Sequence, residues 1–314
     1  MRETGVNRLL RPRTKQEEAF ASLLSSVFER KILIDGARGE ASVDTQMVYG
    51  TLPEGGPDEF LRGLIEHQRY EFSLKTDYRE ADKIDRTGTL VSGPFFTSVD
   101  HPWPVGAQGY LEPLFQLDLR FASDVGGKDL GSGLLQVWMD NRSSFLRQIP
   151  ESFVSRAVLA PIPLKGEWSC IESVSNTCNW AAAESGEPKW IEGGHQATGV
   201  GPARFAPHQL LRLVLEGQII DEADRYDAVL VADAQRCISL MEFVGSSDAA
   251  LVATTTNASL FGNYNPWNFD AGLETVLLNY QPDNVLKFGS GDEAGIIFYD
   301  LINAETHFSF QVED

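Results

Sequence analysis

The side chains best able to do chemistry in this chain are scattered along it. The five histidines stand at 67, 101, 195, 208 and 307, and none sits with another His or a Cys at zinc-ligand spacing. Cys170, Cys178 and Cys237 form no C-x-x-C pair, so the expectation is reduced thiols in a cytoplasmic protein, with no metal and no cofactor. Cys237 has apolar neighbours and no base nearby, the setting of an inert buried thiol. No G-x-S-x-G, H-E-x-x-H or Walker loop occurs, and the Gly-rich E-G-G-P at 54–57 lacks the Lys-Ser/Thr that a phosphate cradle needs. A Ser/His/Asp set is defined by geometry and not by order, so no catalytic residue is assigned and an enzyme is the less favoured reading.

Two groups of polar residues remain. Asp221, Glu222, Asp224, Asp227 and Asp233 are opposed locally only by Arg225. Clustered carboxylates serve as cation ligands or acid–base pairs, but this spacing lacks the D-x-[DN]-x-[DN]-G of a calcium loop. A solvated acidic face and a partner-binding face both fit. The second group is Gln116, Asp118 and Gln136, set within apolar runs. Leu114–Leu119 and Leu134–Met139 read as strands. Gln116 and Asp118 then share one face with Leu114, and Gln136 shares one with Trp138. A buried Gln needs partners for both its carbonyl and its amide. Two glutamines on neighbouring strands can satisfy each other, or they can line a polar groove.

The elements that would position these residues follow from periodicity. T-K-Q-E at 14–17 is a capping box, and Phe20, Leu23, Leu24, Val27 and Phe28 continue it as a helix over about 15–30. K-I-L-I-D at 31–35 reads as a short strand. Asp58 caps a second helix, and Tyr70, Phe72 and Leu74 alternate as a strand. His101-Pro102-Trp103-Pro104 is a stiff loop, because each proline fixes its own φ and biases its predecessor to extended geometry. Trp103 there either plugs a core edge or anchors a partner. His101 reads as structural, with a ligand or base as the alternative. Residues 153–163 read as a strand and 173–202 as a long loop. Residues 207–217 are either strand or helix, while 226–232 and 237–244 are apolar without a clear period.

Near the C-terminus the pattern of 111–140 recurs. An apolar strand with a Gln (Gln116; Gln281) is followed by Gly-Ser-Gly (131–133; 289–291) and a strand closed by Asp (Asp140; Asp300). The expected fold is α+β, mainly antiparallel β-sheet with N-terminal helices and internal duplication of a β-rich half. Residues 1–13 are expected to be a mobile arm. Residues 14–314 form a single compact unit, with halves at about 90–170 and 205–314.

Residues 93–140 contain P-F-F-T-S, P-W-P, P-L-F-Q-L-D-L and G-S-G-L-L-Q-V-W-M-D. These resemble the central motif of the YwqG-like family, a bacterial family of unknown function. Two departures stand out. His195–Pro202 lacks the double glycine of the family's later loop, and Ser290 stands before Gly291-Asp292 where the family has Trp.

The totals restrict partners. Lys and Arg number 26 against 45 Asp and Glu, a net charge of −19. Such a chain repels nucleic acid and anionic membranes, and charge would steer it to a basic partner. The resemblance implies an immunity protein that neutralises a toxin domain by direct binding through an acidic surface. The partner-binding candidates are Trp103, Asp221, Glu222, Asp224 and Asp227. The alternative is an enzyme or small-ligand binder using a polar groove between the halves, lined by Gln116, Asp118, Gln136 and Asp292.

Overall fold

The structure is a computed structural model. It describes residues 15–44, 55–66, 69–106, 109–139, 144–161, 193–201, 204–206, 209–246, 258–262, 275–280, 294–302 and 305–313. Several expectations therefore lie outside the described residues: the arm at 1–13, Cys170, Cys178, Gln281 and Asp292. Among the described residues no helix is long and apolar enough to cross a membrane.

The fold is α+β, with helices against a large curled antiparallel sheet. The helices are α1 (Lys15–Arg38), α2 (Gly56–Glu66), α3 (Leu119–Gly126), α4 (Glu151–Val154), α5 (Gln209–Leu215) and α6 (Ala228–Ser246). The strands are β1 (Arg69–Glu80), β2 (Leu90–Val91), β3 (Val105–Gly106), β4 (Gly109–Tyr110), β5 (Glu112–Asp118), β6 (Leu134–Met139), β7 (Ser144–Ile149), β8 (Gly193–Val200), β9 (Arg204–Ala206), β10 (Ala258–Phe261), β11 (Thr275–Tyr280), β12 (Ala294–Ile302) and β13 (Glu305–Glu313). The main sheet runs β13-β12-β11-β10-β1-β8-β2-β5-β6-β7, with β9 also on β1, and β3 pairs β4 separately. β1 joins two regions: Glu71–Ser73 pairs β10, while Leu74–Glu80 pairs β8. β5–β6 and β11–β12 are both antiparallel neighbours.

One core lies between helices and sheet. Phe20, Leu24, Val27, Phe28 and Ile32 of α1 repeat at helical spacing and pack with Leu230, Ala234 and Cys237 of α6 and with Phe72, Phe115, Leu117, Leu135 and Val137 of the strands. That spacing continues to Ile32, so 31–35 extends α1 and the strand expected there does not form. Burial pushes the Cys237 thiol up to about 12, which keeps it protonated.

Three other expectations change. The strand from Leu114 stops at Asp118, whose side chain accepts from the Arg120 N–H and caps α3. Leu119 is thus the first helical residue and does not extend the strand's apolar face. Residues 153–161 form the end of α4 and a loop in place of a strand. Residues 193–200, expected in a loop, form β8, which threads between β1 and β2.

Period-two alternation sends the other side chains of β5 and β6 to the opposite face. There the segment 92–104 covers a second cluster of Ile84, Leu90, Phe95, Trp103, Leu111 and Trp138. Gly133, at φ +100°, makes the turn into β6 with its would-be Cβ 2.1 Å from the Ile149 carbonyl oxygen, a position only glycine fits.

Candidate functional site

The two glutamines lie beneath that second cluster, each 0% exposed and paired in register across β5 and β6. Gln136 Nε2 donates to Gln116 Oε1 at 2.7 Å and to the Phe96 carbonyl at 2.8 Å. Gln116 Nε2 donates to the Arg86 and Gly88 carbonyls, and its Oε1 accepts the Phe96 N–H. Gln136 Oε1 accepts from Trp138 Nε1 and from both Nε and Nη2 of Arg147. Every donor of both amides is used, and each carbonyl accepts at least two bonds.

Two arginines tie this knot to the covering segment. Arg147 Nη1 reaches the Pro102 carbonyl at 2.8 Å. Arg86 donates to the Phe95 and Ala160 carbonyls and to Thr97 Oγ1. Among the described residues neither guanidinium meets a carboxylate. Burial lowers the pKa of both, that of Arg147 to about 10. Trp103 is 6% exposed; its indole N–H donates to the Leu111 carbonyl and its ring meets Trp138 edge-on at 4.9 Å. It therefore plugs the core edge and offers no surface anchor. His101 packs edge-on against Phe153 at 5.0 Å, and burial and Arg147 hold its pKa below the ordinary value. Gln116 and Gln136 line no groove, and Asp118 serves as a helix cap.

Glu112 begins β5, and its Oε2 is shielded from solvent without a hydrogen-bond partner among the described residues. Burial pushes this carboxyl up to about 8, so it is protonated at neutral pH.

The acidic segment lies on the other side of the molecule, against the C-terminal half of α1. A π-helical turn (Glu216–Ile220) and a 3-10 turn (Ala223–Arg225) lead into α6. Asp227 caps α6 by accepting the Val229 and Leu230 N–H groups, and these bonds, with Arg30, hold its carboxyl below the ordinary range. Arg30 bridges Asp227 and Asp233. Arg225 pairs Glu222 and Glu40, and Arg38 donates to the Arg225 carbonyl. Asp221 and Asp224 are exposed. The cluster thus forms an acidic ridge whose charge, among the described residues, is left unpaired mainly on these two.

Beside the ridge is a cleft of about 320 Å³, lined by residues that include Lys31, Asp35, Asp44, Gln218, Glu222 and Tyr226. At its floor, Lys31 Nζ meets Asp35 Oδ2 at 2.5 Å, with side chains 3% and 2% exposed. Tyr226 donates to Asp35 Oδ1 at 2.9 Å, and its ring lies 5.7 Å from Lys31 Nζ. Burial, then the bond to Asp35, keeps the phenol protonated. Sequence reading missed this trio. Recognising that α1 runs through Asp35 would have exposed the Lys31–Asp35 i,i+4 pair, but nothing local links Asp35 to Tyr226.

Among the described residues no three or more His, Cys, Asp or Glu side chains gather as a metal site. No family model matches the chain, and no curated protein matches it.

Proposed function

We propose that this chain is a protein-binding module that takes a basic partner on its acidic ridge. The observation that carries this reading is the exposed pair Asp221 and Asp224 beside Glu222 and Asp227, which Arg225 and Arg30 brace, on a chain of net charge −19. Carboxylates already fixed by their own arginines lose little freedom on binding, and net charge speeds encounter with a cationic surface. The YwqG-like resemblance, on the motif residues quoted above, gives the partner its form: a toxin domain neutralised in the cytoplasm by occlusion. The internal duplication belongs to the same proposal, and the antiparallel pairs β5–β6 and β11–β12 support it.

The test is stoichiometric co-purification with a basic protein from the native host, and rescue of cells from that protein's toxicity. The complex should weaken as salt rises. Asp221→Lys with Asp224→Lys should lower affinity by roughly tenfold or more, because like charges then face each other. An unchanged complex would remove the acidic ridge as the interface.

A further inference from the structure

We infer that the solvent-facing end of the sheet's core face, between Tyr78 and His195 on one side and Glu112 on the other, binds a small organic cation: an ammonium or guanidinium group on a short apolar stem. Strand register brings these residues to one place. Tyr78 of β1 pairs His195 of β8, and His195 pairs Val91 of β2. Val91 pairs Phe115 of β5, and Phe115 pairs Val137 of β6. Directly paired residues share a face, and Val91, Phe115 and Val137 belong to the main core. Tyr78 and His195 therefore lie on the core face. Glu112 pairs Met139, which packs against the same core, so the carboxyl lies on that face at the start of β5.

The backbone leaves a gap there. β2 ends at Val91, and Ser92 and Gly93, both at positive φ, turn the chain to the opposite face. On that face a Cβ at Gly194 would lie 2.4 Å from the Ser92 carbonyl oxygen. Among the described residues no strand then stands between Gly193 of β8 and Glu112 of β5, whose backbones are two strand spacings, about 10 Å, apart. Gly193 adds no side chain, and the Tyr78 hydroxyl oxygen lies 2.7 Å from where its Cβ would be. The phenol thus reaches along the core face into the row of Glu112. Exposure along that face of β1 rises from Leu74 (0%) through Thr76 (6%) to Tyr78 (53%), so this end is open to water.

Glu112 sets the charge of the ligand. Its Oε2 is shielded and unbonded, and no Lys or Arg pairs with it among the described residues. A buried carboxyl without a counter-charge ionises readily once a cation meets it. The Tyr78 ring offers its face to the same cation, and Met139 offers the stem a pliant apolar wall.

The site shares no residue with the acidic ridge, so cation binding here and partner capture there can fail separately. The experiment is an amide-resolved NMR titration of the full chain at pH 8, where Glu112 is about half ionised. The probes are n-butylammonium and n-butylguanidinium, with n-butylurea as the neutral isostere. At least one cation should move the Gly193, Gly194 and Met139 resonances saturably, and n-butylurea should bind at least about tenfold more weakly. Glu112→Gln keeps the shape and removes the charge; it should weaken cation binding at least about tenfold while the remaining spectrum stays that of the folded protein. Tyr78→Leu, at a half-exposed position, should weaken it about threefold. The inference is overturned by no saturable shift with either cation, by n-butylurea binding as tightly, by shifts confined to Asp221 and Asp224, or by affinity unchanged in Glu112→Gln or Tyr78→Leu.

Discussion

The glutamine knot under residues 92–104 and the cleft beside α1 bury similar groups and leave them in opposite states. In the knot, both amides and both guanidinium groups meet partners supplied by the chain itself. In the cleft, the Lys31 ammonium meets one acid and an open cavity. Burial alone thus does not tell how a polar group is satisfied; the two regions differ in how far the chain itself fills the group's bonding capacity.

Substitutions can break or sharpen this contrast. The largest effect is expected from Gln136→Leu, which leaves the Phe96 carbonyl, the Trp138 indole and Arg147 without their buried partner. Urea denaturation should show a loss of about 3–5 kcal/mol. Asp35→Ala strands the Lys31 ammonium and should cost about 3 kcal/mol. The triple variant Lys31→Met, Asp35→Leu, Tyr226→Phe replaces the whole trio by apolar groups, and its stability should return to within about 1 kcal/mol of the parent. A triple variant as unstable as Asp35→Ala would make the cleft trio structural in the way the knot is.

Glu112 supplies a pH test of a lone buried group. Its folded pKa, about 8, lies above the ordinary value of 4.5, so the folded state holds a proton that the unfolded state releases between them. Its contribution is fully present below about pH 4.5 and is lost as pH rises through about 8. Glu112→Gln should match the parent near pH 5 and exceed it by roughly 3 to 4 kcal/mol at pH 8. Denaturation curves that stay parallel across that range would show that solvent reaches the carboxyl. The smallest effect belongs to Asp118→Ala, a lost helix cap worth about 1 kcal/mol in thermal or urea unfolding.

The knot was legible in the sequence and the cleft was not, for physical reasons. Strand alternation places Gln116 and Gln136 on matching faces of adjacent strands, so their mutual pairing is readable from period two alone. Asp118 fits a strand face and a helix cap equally well, and only the tertiary fit of α3 against β10 decides. There a Cβ at Gly126 would lie 2.4 Å from the Phe261 ring. Ile32 and Ile34 made 31–35 look like a strand, and the packing of α1 on α6 overrides that propensity. The carbonyls that hold Arg86 and Arg147, and the bond from Tyr226 to Asp35, join residues far apart in the chain, where local pattern carries no information.

β1 has a kinetic consequence. The β5–β6–β7 meander connects neighbours and can form early. β1 must wait for strands synthesised much later, Leu74 for Val200 and Phe72 for Leu260. Closing such long loops before any contact rewards them sets a high contact order, so folding should be slow for the chain's stability. Until β8 and β10 arrive, both edges of β1 are unpaired, and newly made chains are most exposed to aggregation at that stage.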